Sequence, residues 1–145
     1  MTSIVRSLRF EDLNEGDSFF FDVTVTAEEV DRFATLTGDV SPLHMDSEFA
    51  HARGFRDRVV HGALQIGLVS RLIGVHLPGR NCLLQKCQID FISPIYPGQS
   101  VRVTGIIDQL SESTRSAIIK IRITADDINC ARGKVFVGLT DLADD

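Results

Sequence analysis

The sequence has no tryptophan and only three cysteines, Cys82, Cys87 and Cys130. An odd number of cysteines without a CxxC spacing excludes a zinc ribbon and gives no sign of a disulfide framework. We therefore expect free thiols in a reducing compartment, with the cytoplasm as the location of the protein.

Basic residues are scarce, because 15 lysines and arginines stand against 20 acidic residues and leave a net charge of −5. A nucleic-acid partner is therefore not expected, since phosphate backbones bind concentrated basic surfaces. The one basic cluster along the sequence consists of Arg53, Arg56 and Arg58. It indicates either a solvated loop or a contact to an anionic small ligand.

Long apolar runs are also missing. The longest run, from Ala63 to Leu77, is interrupted by polar and charged residues and is too short to span a bilayer. The N-terminal residues lack the apolar stretch and the small-residue cleavage site of a secretory signal. We expect a protein without a membrane segment.

The remaining composition is typical of a globular protein. The apolar fraction is 43% and the charged fraction is 24%, and 145 residues suffice for one core. We therefore predict a single domain spanning residues 1–145.

The first half of the chain predicts one strand followed by a helix. Residues 19–25 place apolar side chains at every second position, which is typical of a strand with one buried face. Thr26 and Glu29 then form a capping box at the start of a helix, and Gly38 fits its left-handed end. The inward-facing residues of this helix are predicted to be Val30, Phe33, Ala34 and Thr37.

A long helix and four further strands are predicted for the second half. From His61 to His76, apolar residues cover most of the helical circumference, which indicates a helix buried on all sides. Its glycines Gly62, Gly67 and Gly74 lower helix propensity, so we expect neighbouring backbone to approach them closely. After Gly79 the apolar residues alternate in four segments, which predicts an antiparallel sheet. The result is an α+β fold with the sheet packed around one buried helix.

The segment from Gly38 to His44 contains candidates for acid–base chemistry. Asp39 and His44 lie on one short stretch that Pro42 makes stiff, with apolar residues on either side. Proton transfer needs two such groups near the same atom. The alternative is an aspartate that caps a turn beside an incidental surface histidine.

A second candidate is Val60-His61-Gly62, at the start of the long helix. Unpaired N–H groups at a helix start stabilise a carbonyl oxygen that becomes negative, and glycine admits a substrate close to the backbone. Ser70 lies two turns further along. Its structural alternative is a hydrogen bond to a carbonyl one turn earlier.

Several motifs follow one another over most of the chain. They begin with Gly38-Asp39-x-Ser41-Pro42-Leu43-His44 and continue through Val60-His61-Gly62, Ser70, Leu77-Pro78-Gly79 and Gln88-Ile89-Asp90-Phe91. They end near Pro97-Gly98. In this order they resemble the MaoC-like, (R)-specific enoyl-CoA hydratases. The chain departs from the family pattern at Ser41, where the family usually has asparagine. This departure bears on the positioning of Asp39 or on the substrate preference.

The resemblance implies a hotdog fold, in which an antiparallel sheet wraps a long central helix. It also implies a homodimer with the catalytic pair at its interface, and such dimers can assemble further. Asp39 and His44 are implied as the catalytic residues and Gly62 as the donor to the thioester carbonyl. The implied substrate-binding residues are Gly62, Ser70, Ser41 and His61.

The implied reaction is the (R)-specific hydration of a trans-2-enoyl thioester, or the reverse dehydration. The acyl carrier is coenzyme A or acyl carrier protein. No metal or redox cofactor is expected, because the thioester itself acidifies C2.

Two other functions are considered. A hotdog thioesterase would direct water at the carbonyl, but such enzymes typically build their site on the central helix and lack this Asp-x4-His segment. A non-catalytic acyl-thioester binder, or a heterodimer subunit, would keep the fold and lose the acid–base pair. This sequence retains the pair.

Overall fold

Four of the five strands lie in the second half of the chain, as the alternating pattern predicts. The computed structural model describes residues 4–141. Its strands are β1 (Ser18–Thr24), β2 (Cys82–Phe91), β3 (Ser100–Ser111), β4 (Ser116–Ala125) and β5 (Ile128–Leu139). Its α-helices are α1 (Ala27–Thr37), α2 (Pro42–Met45), α3 (Ser47–Ala52) and α4 (Gly62–Arg71), and a π-helical turn (Leu72–His76) continues α4. Within the described residues, none of these helices combines the length and the apolar character needed to cross a membrane.

The strands form one antiparallel sheet in the order β1-β3-β4-β5-β2. Strands β3, β4 and β5 pair as consecutive hairpins, while β1 and β2 take the two edges. Side chains alternate between the two faces, and Val103, Ile119, Ile123 and Val135 on the inner face are completely buried. Each such side chain stabilises the fold by about 1.5–3 kcal/mol through its burial. The predicted α+β architecture with an antiparallel sheet is confirmed.

Helix α4 and the π-helical turn pack against the inner face of the sheet. Leu72 is fully buried there, and a Cβ added to Gly105 of β3 would lie 2.6 Å from its Cδ2 atom. Strand β3 therefore lies so close to this helical segment that a side chain at position 105 would force the Leu72 side chain to move. This contact makes α4 the central helix of the fold, as predicted.

Within one chain, however, α4 is not buried on all sides, so that prediction is wrong for the monomer. Ala63, Gly67 and Ser70 are exposed and lie three or four positions apart, which puts them on one helix face. The polar Gln65 is instead buried. The close approach expected at Gly67 and Gly74 is also wrong, since no described atom outside the adjoining turns of their own helix lies within 4 Å of a Cβ added there. The apolar pattern grouped alanine and glycine with large side chains and so concealed this face.

Helix α1 begins and ends where its signals predict. The Thr26 hydroxyl accepts a hydrogen bond from the Glu29 N–H at 3.1 Å, and Gly38 closes the helix in the left-handed conformation with φ +79°. The Glu29 carboxylate lies 3.3 Å from the Thr26 hydroxyl, so it bonds the side chain of the cap and not its backbone N–H. Val30 and Ala34 are buried, as predicted. The capping box is therefore one-sided, but the helix it starts is the expected one.

Candidate active site

Asp39 lies in a short turn at the end of α1. Its N–H donates to the hydroxyl of Thr37 at 3.2 Å, and its carboxylate accepts from the N–H of Ser41 at 3.3 Å. The predicted inward position of Thr37 is wrong, because Thr37 is exposed and its hydroxyl donates to the carbonyl of Phe33. Its side chain serves the turn and not the core. The turn thus fixes an exposed carboxylate at the start of the candidate site.

Ser41 is linked to Asp39 through its backbone. It has φ −53° and ψ 134°, the extended conformation favoured before a proline, and Pro42 opens the one-turn helix α2. The Ser41 hydroxyl makes no hydrogen bond within residues 4–141. His44 consequently lies in α2 and not on a loop as predicted, because Pro42 is a favourable first residue of a helix.

His44 is oriented by the backbone of a distant segment. Its Nδ1 atom lies 2.6 Å from the carbonyl oxygen of Val59. A carbonyl can only accept a hydrogen bond, so we infer that Nδ1 carries the hydrogen in the neutral ring. The Nε2 atom of a neutral His44 then has a lone pair available to accept a proton.

His61 packs the two catalytic candidates together. Its ring stacks on that of His44 with the centroids 4.0 Å apart, and it also contacts the ring of Phe33 at 4.8 Å. Its Nε2 atom lies 2.9 Å from the carbonyl oxygen of Asp39, to which it donates. His61 is 1% exposed, and its Nδ1 atom is buried without a partner in the described residues. One side-chain atom each of Asp39, His44 and His61 lies within 4.8 Å of the others, so the structure brings these three predicted residues together.

Gly62 opens α4 directly after His61. Its N–H belongs to the first helical turn, where the helix itself offers no acceptor. The ring of Phe91, at the end of β2, lies 3.2 Å from the position that a Cβ of residue 62 would take. The start of α4 thus lies against the Phe91 ring. Its free N–H groups and the positive end of the helix can polarise a carbonyl.

Ser70 is a predicted site residue that forms no hydrogen bond with Asp39 or His44 within the described part of one chain. It lies on the exposed face of α4, and its hydroxyl makes no hydrogen bond within residues 4–141. The structural alternative, a bond to a carbonyl one turn earlier, is therefore absent as well. Phe33 and Val59, by contrast, were not predicted as site residues. The signal for Phe33 was its inward position on α1, whereas the sequence offered none for Val59.

The segment before Val59 is anchored to α1. Arg58 forms an ion pair with Asp31 at 2.7 Å, and its side chain is only 13% exposed. The neighbouring Asp57 accepts hydrogen bonds from the N–H of Arg58 and the hydroxyl of Ser47, and these bonds hold the pKa of Asp57 below its ordinary value. The carbonyl that orients His44 therefore lies on a fixed segment.

The basic cluster predicted from the sequence divides into two kinds of residue. Arg58 forms the ion pair with Asp31 described above. Arg53 and Arg56 are exposed, and their guanidinium groups lie over the rings of Phe49 and Tyr96 at 3.6 Å and 4.5 Å. The three arginines thus do not converge on one point.

Asp39, His44 and His61 are also the residues that a metal ion could contact. Ligands of a tetrahedral zinc ion, with bonds of about 2.0–2.1 Å, lie roughly 3.4 Å apart. Here the separations extend to 4.8 Å, and the two imidazoles stack face to face at an interplanar angle of 27°. Stacked rings do not direct their in-plane lone pairs at one ion. The geometry suits proton transfer better than metal binding.

Residues 14–126 match the family described as "MaoC like domain". The chain belongs to this family. An "(R)-specific enoyl-CoA hydratase" of Rhodospirillum rubrum is 31% identical over 104 residues, covering 69% of this chain and 72% of the relative. A "3-hydroxybutyryl-CoA dehydratase" of Methylorubrum extorquens is 29% identical over 133 residues, covering 92% of this chain and 85% of the relative. The names of these MaoC-like relatives confirm the predicted class of enzyme, a hydro-lyase.

The fold of this MaoC-like chain matches solved structures over nearly its full length. The structure described as "(R)-hydratase from A. caviae involved in PHA biosynthesis" superimposes with a TM-score of 0.85 at 30% identity. The match covers 89% of this chain and 98% of that protein. The predicted hotdog fold, with an antiparallel sheet around a central helix, is confirmed.

Proposed function

We propose that the protein catalyses the (R)-specific hydration of trans-2-enoyl thioesters to (R)-3-hydroxyacyl thioesters, and the reverse dehydration. The observation that carries the proposal is the convergence of Asp39, His44 and His61 within 4.8 Å beside the start of α4. The names of the relatives support the same reaction class. Activity comes from the geometry of two groups that can share one water molecule.

The acid–base step uses Asp39 and His44. One water molecule is hydrogen-bonded by the carboxylate and by Nε2 of His44, which the bond from Nδ1 to Val59 leaves free to accept. As the water oxygen bonds to C3, one water proton passes to the Asp39–His44 pair, and the pair delivers that same proton to C2. Hydrogen and hydroxyl therefore add to the same side of the double bond, and the two catalytic groups end the cycle in their starting protonation states.

The thioester carbonyl is polarised at the start of α4. When C3 is attacked, negative charge develops on the carbonyl oxygen as an enolate. The N–H of Gly62 and the positive end of the helix stabilise this charge. No step of this proposal calls on a metal or redox cofactor, because the thioester itself acidifies C2.

Substrate binding in a dimer would complete the site. Ala63, Gly67 and Ser70 leave one face of α4 exposed, and the edge strand β2 carries the exposed apolar residues Leu83 and Phe91. A second copy that covers these surfaces would bury them and bring Ser70 into an enclosed site. Sedimentation at micromolar concentration should therefore give a dimer, and an active species at 16.0 kDa would contradict this part of the proposal.

A spectrophotometric assay of the purified chain tests the function directly. Crotonyl-CoA, longer enoyl-CoA substrates and the corresponding acyl carrier protein thioesters should lose the enoyl absorbance, and chiral analysis should give the (R)-3-hydroxyacyl product. Asp39→Asn and His44→Ala should each lower kcat by about 10²-fold or more, the typical contribution of a general acid–base group. His51→Ala is the matched control, because His51 is exposed and its side chain, within the described residues, hydrogen-bonds only the Arg56 carbonyl.

The outcomes separate the alternatives. Release of free thiol without a hydrated product would favour the thioesterase. An inactive wild type that still binds enoyl-CoA would favour a binder or a heterodimer subunit. Near wild-type turnover by both site variants would contradict the assignment of Asp39 and His44.

A further inference from the structure

Strand pairing creates a second basic cluster that is dispersed in the sequence. In the register of β4 and β5, Arg122 lies opposite Arg132 and Lys120 lies opposite Lys134. All four side chains are exposed and lie on the outer face of the sheet, opposite to α4. We call these four residues the outer quartet. Unlike Arg53, Arg56 and Arg58, which are clustered along the sequence, the outer quartet forms only through strand pairing.

The outer quartet is electrostatically unfavourable by itself. Directly opposite residues of antiparallel strands have Cβ atoms about 4.5–5.5 Å apart, and like charges in such pairs destabilise a sheet. The two pairs are about 7 Å apart along the strands, since each residue advances the strand by about 3.4 Å. Four positive charges thus occupy a small patch of a protein whose net charge is −5.

Nearby carboxylates neutralise this patch only in part. Asp108 lies 3.4 Å from Lys120. Asp90 lies opposite Arg132 in the register of β2 and β5, yet within residues 4–141 neither Arg132 nor Arg122 forms an ion pair or a side-chain hydrogen bond. Arg102, on the same outer face, shows the contrast: its guanidinium holds both carboxylate oxygens of Asp22, at 2.8 Å and 3.0 Å.

The outer quartet lines a concave part of the sheet. The cavity has a volume of about 950 Å³, and Thr104, Ile106, Gln88 and Asp90 are among its other lining residues. Small-molecule sites typically enclose about 300–1,000 Å³ and combine apolar walls with a few convergent polar groups. This cavity therefore has the size of a small-molecule site and lies on the other face of the sheet from α4, whose N-terminus borders the Asp39–His44 site.

We propose that the outer quartet binds a small polyanion that carries at least two adjacent phosphate groups. The fork of an arginine matches phosphate oxygens in a bidentate manner, and Arg122 and Arg132 present two such forks side by side. Thr104 and Gln88 add neutral donors at the rim. Binding would remove the like-charge repulsion between β4 and β5, so the ligand stabilises the sheet that holds it.

Two other occupants fit less well. A second copy docked about a twofold axis on this face would bring the outer quartet against itself, because such contacts use the same patch on both subunits. An acidic protein surface would supply the charge, but a concave patch suits a compact ligand better than a broad interface. The proposal therefore commits to a small phosphorylated molecule and does not depend on the function proposed for Asp39 and His44.

Calorimetric titration with inorganic pyrophosphate tests this inference. The wild type should bind it, with an affinity that falls as salt is raised. Arg122→Gln/Arg132→Gln should weaken binding by about 10²-fold, since each lost charge-assisted hydrogen bond costs about tenfold or more. Arg102→Gln is the matched control, because it removes an arginine of the same face whose charge Asp22 already neutralises. It should leave pyrophosphate binding nearly unchanged.

Further measurements keep the result interpretable. At low salt, Arg122→Gln/Arg132→Gln should melt at or above the temperature of the wild type, because a repulsive pair has been removed. If this variant does not fold, Lys120→Gln/Lys134→Gln takes its place in the titration. Titrations with ADP and with inorganic triphosphate then distinguish a nucleotide from an inorganic polyphosphate.

Three results would overturn the proposal. The wild type could fail to bind pyrophosphate at millimolar concentration. Arg122→Gln/Arg132→Gln could bind pyrophosphate as tightly as the wild type, which would show that the anion binds elsewhere. An acidic peptide could bind in a quartet-dependent manner while pyrophosphate does not, which would make the face a protein-docking surface.

Discussion

His44 and Val59 are joined across 15 residues of sequence by a contact of 2.6 Å between the imidazole Nδ1 atom and a backbone carbonyl oxygen. A carbonyl oxygen can only accept a hydrogen bond, so it selects the tautomer of the neutral ring with the hydrogen on Nδ1. His61 donates to a backbone carbonyl through the other ring nitrogen: its Nε2 atom bonds the carbonyl oxygen of Asp39. Two stacked imidazoles are therefore held in opposite tautomers by two backbone carbonyls.

The first prediction concerns these tautomers. ¹⁵N NMR of histidine-labelled protein at neutral pH should show the hydrogen on Nδ1 of neutral His44 and on Nε2 of neutral His61. Assignment through His44→Ala and His61→Ala separates the two signals. A hydrogen on Nε2 of neutral His44 would contradict both the Val59 contact and its proposed use as a proton acceptor.

The second prediction concerns Ser41, the departure from the family pattern. Its backbone N–H, and not its hydroxyl, contacts the Asp39 carboxylate. Ser41→Asn keeps that N–H, so it should change the free energy of unfolding by no more than about 0.5 kcal/mol and the hydration rate by no more than about twofold. The measurement is kcat/KM for short and long enoyl-CoA substrates. A large change in their ratio would instead make Ser41 a determinant of chain length.

The third prediction concerns the Phe91 ring, which lies beside Gly62 at the start of α4. A methyl group on residue 62 would meet the Phe91 ring at 3.2 Å, so Gly62→Ala should displace that ring from the carbonyl site. The contact with Phe91 should lower the free energy of unfolding. The higher helix propensity of alanine, worth about 1 kcal/mol, should offset much of that loss. We expect kcat/KM to fall by about tenfold or more, because the N–H donor remains but the carbonyl site beside it is displaced, while the thermal midpoint changes little. Gly62→Ala/Phe91→Leu makes room for the methyl group, and no recovery in this double variant would refute the steric explanation.

The fourth prediction concerns the Cys82 thiol. Burial raises its pKa from 9.0 to about 11. Its contribution to stability is complete below pH 9 and is lost as the pH rises towards 11, because the unfolded thiol ionises first. At pH 8, iodoacetamide should modify Cys82 in the native protein about 10²-fold more slowly than in the unfolded chain, since only the thiolate reacts. Mass-spectrometric peptide mapping over time measures both rates, and equal rates would show that the thiol is not protected.

The features that the sequence predicts well are local ones. Alternating apolar residues such as Val101 and Val103 report a strand because their period depends only on the backbone. The cap at Thr26 and the glycine at position 38 likewise act on their own helix. Asp39 and His44 could be singled out because they are close in sequence.

The features that it does not predict depend on the register or the packing of distant segments. Val59 reaches His44 only because the chain returns to α2 after α3. Lys120 meets Lys134, and Arg122 meets Arg132, because a hairpin aligns them. The pattern of apolar residues did not predict the exposed face of α4. A count of apolar residues does not distinguish a small side chain that leaves a groove from a large one that fills the core.

The ion pair between Asp31 and Arg58 makes the two positions genetically dependent on one another. Asp31 lies on the solvent side of α1, but its partner adjoins the residue whose carbonyl orients His44. A mutational scan read one position at a time will score both as though they were catalytic. A library that varies them jointly will recover function in combinations such as a neutral pair, and so distinguish a scaffold constraint from chemistry. Which residues are tolerated at position 31 therefore depends on which residue occupies position 58.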